Sequence, residues 1–231
     1  MTGFSALDEI DRLLMTTKAV RRRLDYTRPV PTELVVECIE LACYAPNASN
    51  AQEWRWVVID DEEQKRRVGE QYRAMTVPPV SQMLQSKLEA GDEVGARISS
   101  SIIYLAEHMH EVPVLVMPCY DMGAAHDRYR SLLHDPELQD RASPDVSMTS
   151  GMYASIYPAV WSFQLALHSR GLASAFTTAH QGDQPAMAEI LGIPSTWDQT
   201  CLIPVAYPTG DGFSPSPRRP VSEVIVYNRL G

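Results

Sequence analysis

No run of about eighteen apolar residues occurs in this 231-residue chain, so no transmembrane helix is expected. Positive charge is in deficit: 20 Lys and Arg stand against 29 Asp and Glu, a formal net charge of −9. A general nucleic-acid or membrane-surface binder needs the opposite balance, so neither partner is expected. The N-terminal stretch MTGFSALDEIDRLLMTTKAV carries acids where a secretory signal carries base, and it has no long apolar core. A soluble, cytoplasmic protein is the expectation. Cysteine is scarce, and Cys38, Cys43, Cys119 and Cys201 form no CxxC pair. Each lies in an apolar segment and reads as a buried reduced thiol rather than part of a disulfide frame or a zinc site. His108 and His110 are two positions apart and point to different faces of a helix, so no metal centre is expected there. There is no GxSxG elbow and no GxGxxG motif; Gly210-Asp211-Gly212 reads as a plain turn.

What the chain does hold is ordinary globular composition, 45% hydrophobic and 21% charged, enough for a sizeable core. Helical spacing predicts a helix over 4–16, from Leu7, Ile10, Leu13 and Leu14, and another over 32–44, started by Pro31. A buried strand is expected at Trp56–Ile59, a charged surface helix over 62–74 and another helix over 98–109. Residues 75–98 carry two prolines, two glycines and mixed polarity, and read as a mobile segment with some helix. Residues 112–120 have strand composition, with Pro113 and Pro118 implying an edge or irregular ends. Residues 122–150 read as a long loop or lid. Ile156, Val160, Phe163 and Leu167 define a helix ended by Gly171, with Pro158 in its first turn or at a kink, and Trp161 and Phe163 in the core. A strand over 173–177, a helix over 184–191, a strand over 201–207 and a final strand in VSEVIVYN complete the reading. The elements interleave without a regular βαβ beat, so a single α+β domain spanning 1–231 is expected.

Two stretches invite chemistry. Lys18, Arg21, Arg22, Arg23 and Arg28 place five positive charges within eleven residues of an acidic chain. They are either a solvated turn pairing with Asp8, Asp11 or Asp25, or an anion site in which guanidinium forks grip a phosphate. The decapeptide APNASNAQEW sets Asn47, Ser49, Asn50 and Gln52 at near-alternate positions in a non-periodic loop. Such groups both donate and accept, which suits the edge of a heteroaromatic ring or a polyol chain; a turn satisfying itself is the alternative.

The order of these segments resembles the FMN-dependent nitroreductase superfamily. TKAVRR stands for its basic motif, RPVP for the start of its second helix, and APNASNAQEWRWVVI for its cofactor loop and strand. SIYPAVWSFQLALHSRGLASAFTT, LGIP and LIPVAYPTGDGFSPSPRRPVSEV are similar to its later signatures. The resemblance spans nearly the whole chain and is weakest over 75–100 and 122–150. It implies a nitroreductase-like fold with a central, mostly antiparallel sheet flanked by helices, in an interlocked homodimer holding two FMN molecules at its interface. Residues 214–231 would then reach the partner subunit. Residue by residue it implies Lys18 and Arg21, with Arg22 as a substitute, at the FMN phosphate, and Arg218 returning to it. Asn47, Ser49, Asn50 and Gln52 would line the ring and ribityl chain, and Thr177 and Thr178 would lie near the ring.

The chemistry implied is hydride transfer from NAD(P)H through flavin N5 to a nitroaromatic, quinone or similar flat acceptor in a ping-pong cycle. The cofactor carries that chemistry, so no catalytic side chain is required. Reductive dehalogenation, ene or imine reduction, azoline oxidation and flavin fragmentation use the same scaffold, and a flavin-sequestering protein with little turnover is a further alternative. A lid over 75–100 and 122–150 would separate them, with Tyr72, Met83, Tyr104, Tyr120 and Tyr129 as candidate acceptor contacts. The chain departs from the family pattern at Thr17, Ala19, Glu53, Trp161 and Ala206.

Overall fold

A computed structural model describes residues 9–133 and 144–229, with the side chains of 128–147 outside the described set. The organising element is β3 (Val114–Asp121), whose residues alternate between two apolar environments. Val114, Val116 and Tyr120 enter one core; Leu115, Met117 and Cys119 enter the other. A strand buried on both faces needs a near-continuous apolar run, and VLVMPCYD supplies it.

Around β3 the sheet runs β1 (Leu24–Asp25), β6 (Ile203–Pro208), β3, β2 (Trp54–Ile59). Off this path β4 (Ala173–Ser174) pairs with β6, and β5 (Trp197–Gln199) pairs with β3. All these ladders are antiparallel. Pro118 therefore lies inside a central strand and does not mark an edge. It is tolerated because β3 changes neighbour there: Val114–Val116 pair with β6, and Cys119–Asp121 pair with β5. At the junction the Pro118 carbonyl accepts from both the Thr200 backbone N–H (3.0 Å) and hydroxyl (2.7 Å).

One face of the sheet is covered by α2 (Thr32–Ala42) and the long α6 (Pro144–Ser169), which contributes Ile156, Val160, Phe163 and Leu167. The other is covered by α3 (Glu62–Glu89) and α4 (Glu93–His108), with Val68, Tyr72 and Leu105 facing inward. The helix α1 (Glu9–Thr16) packs on α6, α5 (Met122–Leu133) follows β3, and α7 (Gln184–Leu191) packs on α3.

Four expectations are corrected. The segment 75–98 is helical: α3 runs through Pro78 and Pro79 to Glu89, and α4 returns antiparallel after a turn at Gly91, φ +68°. Two prolines remove two backbone donors, yet packing against α4 sustains the helix. The segment 122–150 is not one long loop, since α5 and the start of α6 occupy its described parts; 134–143 lie outside the described residues. Pro158 sits well inside α6 rather than in its first turn. VSEVIVYN forms no strand either: Val221–Glu223 make one 3-10 turn, and the segment lies exposed without a sheet partner.

Candidate functional site

The stretch between α1 and β1 runs beside β4. Ala19 bridges Ser174 and Val20 N–H donates to the Ser174 carbonyl at 2.9 Å. This parallel contact fixes the direction of the basic cluster and sends its members to different places. Lys18 and Arg21 face a cleft of about 400 Å³, lined also by Thr17, Trp161, Gln164 and Phe176. From the far end of the chain, Ser216 and Arg218 complete it. Arg22 turns the other way, donating to the Ser100 hydroxyl at 2.7 Å and covering the Tyr104 ring at 4.9 Å. Arg28 lies over Tyr207, and Arg23 grips backbone carbonyls of the 209–212 turn.

Among the described residues no ion pair joins the basic cluster to Asp11 or Asp25: Asp25 accepts from Thr27 and from the Arg28 backbone N–H, and Asp8 lies outside the described residues. Among the described residues no carboxylate forms an ion pair with Lys18, Arg21 or Arg218. Arg21 is half-buried, and that burial lowers its pKa from the ordinary value, partly offset by Tyr72. A desolvated cation without a counter-charge is expensive, and an anionic ligand relieves the cost.

Aromatic walls adjoin the cations. Trp161 is 41% exposed, so its expected place in the core is corrected, while Phe163 is fully buried as expected. The reason was present in the helical spacing: Ile156, Val160, Phe163 and Leu167 set the inward face, and residue 161 falls about 100° off Val160. Phe176 leans on Tyr157 at 5.6 Å, and Tyr157 stacks on Tyr153 at 5.2 Å. An aromatic row thus runs from the cleft along α6. Gln164, buried, donates to the Ser174 hydroxyl at 3.1 Å and closes the floor. Gln164 and Phe176 were not singled out by sequence; only the placement of β4 beside α6 reveals them.

The amide-rich loop follows a strained path. Ser49 (φ 55°), Asn50 (φ 51°) and Gln52 (φ 56°) are all left-handed, a region that costs non-glycine residues about 1–2 kcal/mol each. Asn47 enforces it: its Oδ1 accepts from the Gln52 N–H at 3.0 Å. Ser155 on α6 ties the loop down, accepting from the Ala48 N–H at 3.0 Å and donating to the Gly151 carbonyl at 2.7 Å. Asn47 therefore works within the turn, whereas Ser49, Asn50 and Gln52 point outward and are exposed. None of these residues lines the cation cleft.

Thr177 is turned inward, its hydroxyl donating to the Leu202 carbonyl at 2.8 Å, and it does not line the cleft. Thr178, next to it, is exposed. Among the candidate acceptor contacts, Tyr72 and Tyr120 are 1% and 2% exposed and belong to the interior. Tyr120 donates to the buried Glu53 carboxylate at 2.6 Å. Met83 is exposed, Tyr104 lies beneath Arg22, and the Tyr129 side chain lies outside the described residues.

These features define a class: an antiparallel α+β protein with a cation-lined, aromatic-walled cleft beside its sheet. The family model "Nitroreductase family" matches residues 14–207, and the chain belongs to that family, which groups it with flavin oxidoreductases. It is 26% identical over 211 residues to the iodotyrosine deiodinase of Thermotoga neapolitana, covering 90% of this chain and 91% of that one. It is 24% identical over 212 residues to an NADH dehydrogenase of Thermus thermophilus, covering 86% and 87%. The fold matches an oxidized iodotyrosine deiodinase crystallised with FMN and 3-iodo-L-tyrosine, with TM-score 0.67, 20% identity, and 96% and 100% coverage.

Proposed function

We propose that the protein is an FMN-dependent oxidoreductase that takes reducing equivalents from NAD(P)H and delivers them to a nitroaromatic, quinone or similar flat acceptor. The single observation that carries this reading is the convergence of Lys18, Arg21 and Arg218, none paired to a described carboxylate, in one cleft beside Trp161 and Phe176. A dianionic phosphate on an amphiphilic ring system fits that donor set: forked guanidiniums and a lysine for the phosphate, aromatic faces for the apolar portion. Bound FMN would supply the hydride chemistry. The chain's own work is to neutralise the phosphate, exclude water with Trp161 and Phe176, and present Ser49, Asn50 and Gln52 as hydrogen-bonding groups.

Those three residues lie outside the cleft of their own protomer, which favours a site completed by a second copy. Tyr153, Trp161, Val221, Val224 and Tyr227 are all exposed and would be covered in such a homodimer. The test is the visible spectrum of the purified protein, with and without added FMN, followed by anaerobic NADPH or NADH. Flavin bands that bleach with the nucleotide, and re-oxidation by menadione or a nitrofuran, are expected. A colourless protein that takes up no FMN would overturn the reading. Flavin retained without any acceptor-dependent rate would instead mark a sequestering protein.

The similarity to the Thermotoga deiodinase favours one second reading, reductive dehalogenation of a halogenated phenol. Release of iodide from 3-iodotyrosine by the dithionite-reduced protein separates it from plain quinone or nitro reduction.

A further inference from the structure

Arg23 is the member of the basic cluster whose guanidinium holds three backbone carbonyls at once. Its Nε donates to the Thr209 carbonyl at 2.8 Å, Nη2 to Asp211 at 3.0 Å and Nη1 to Gly212 at 3.1 Å. The Thr209 N–H answers by donating to the Arg23 carbonyl at 2.9 Å. The turn so gripped has two positive-φ glycines, Gly210 (+71°) and Gly212 (+32°), which let three carbonyls converge on one guanidinium. Immediately beyond it, the Phe213 ring lies 4.6 Å from the Arg23 guanidinium, with the Lys18 ammonium 5.7 Å from the same ring. Lys18 also donates to the Ser214 carbonyl at 2.9 Å.

From 215 to 220 the chain has no regular secondary structure and is exposed apart from the half-buried Ser216, and among the described residues it makes no further hydrogen bond to the body of the protein. Arg218 nevertheless lines the cleft, and its own side chain bonds only to the Pro217 carbonyl beside it. The course of this arm is therefore set at its root.

We propose that Arg23 is a positioning residue: by holding the carbonyls of Thr209, Asp211 and Gly212 it fixes the direction of the C-terminal arm and so delivers Arg218 to the cleft. This rests on the FMN reading for its consequence, though not for its geometry. An arm free at its root spreads Arg218 over many positions, and the ligand must then order it on binding. A lysine cannot replace Arg23, because one ammonium does not reproduce a planar fork reaching three carbonyls.

The test uses the full chain as wild type, Arg23→Lys, Arg218→Ala and the double variant. Dissociation constants are measured for FMN and for riboflavin, which lacks the phosphate, and hydrogen exchange is followed over 210–219. Arg23→Lys is expected to weaken FMN about fivefold, leave riboflavin unchanged, and add less than twofold once Arg218 is already alanine. Exchange over the arm should speed up. A general loss of stability would weaken both flavins alike and add to Arg218→Ala, and either result overturns the proposal. Should the wild type bind neither flavin, the FMN reading fails on its own account. Arm exchange then decides Arg23: acceleration in Arg23→Lys upholds the positioning role, and unchanged exchange overturns it.

Discussion

Arg21 carries the sharpest local tension, because it has given up part of its hydration without gaining a described counter-charge. A charge-assisted hydrogen bond to a bound phosphate contributes roughly 1.5–3 kcal/mol. Arg21→Ala is therefore expected to raise the FMN dissociation constant at least tenfold, measured by flavin fluorescence titration; unchanged affinity would remove Arg21 from the site. His180 holds the opposite tension. It is fully buried with neither ring nitrogen partnered among the described residues, and burial holds its pKa down at about 4 against an ordinary 6.5. Between those values the unfolded chain binds a proton that the folded chain refuses, so stability falls as pH drops from about 6.5 towards 4. The loss from this one group approaches about 3 kcal/mol at the acid end. Urea midpoints at pH 7 and pH 4.5 should fall further apart in the wild type than in His180→Leu. Equal pH dependence would mean the imidazole is satisfied in solution.

At the level of elements, legibility followed how much local chemistry agreed with the fold. The helix over 184–191 was readable to its ends because Asp183 accepts from the Ala186 N–H, proline opens its first turn and Gly192 closes it at φ 66°. The core stripe of α6 was readable from its period, but the start at Pro144 was not, because Gly151 and Pro158 mimic a boundary. The extension of α3 past Pro78 and Pro79 depends on its partner α4, a tertiary fact invisible to propensity. The amide loop was legible as a special segment, though not its left-handed backbone or its tie to Ser155. That tie makes a prediction. Ser155→Ala leaves the Ala48 N–H without its partner, at a cost of about 1–2 kcal/mol, and frees the loop. Hydrogen exchange at Ala48 should accelerate well beyond that of the α6 amides around Ile156; coincident change would mean the helix, not the loop, had loosened.

Across the whole molecule, the site was legible in proportion to how much of it one stretch of chain supplies. Lys18 and Arg21 sit in a motif; Arg218 reaches the same cleft only because the arm crosses back, and Trp161 and Phe176 meet it only in the folded protein. The apparent final strand failed for a related reason. Alternation in VSEVIVYN asks for a neighbouring surface, and here Val221, Val224, Val226 and Tyr227 are 58–82% exposed. In the proposed homodimer a second copy of the chain would answer that demand, and would place its amide loop within reach of the cleft that lacks one. Deleting 221–231 tests the linkage while keeping Arg218. Light scattering should then report a monomer, and flavin absorbance should leave the protein on gel filtration, since half the donors to each ligand would be gone. A truncated chain that stays monomeric yet keeps its FMN would show that each protomer builds its pocket alone. The exposed row of Tyr153 and Trp161 would then need another cover, whereas a truncated chain that remains dimeric would move the interface from the arm to α6 itself.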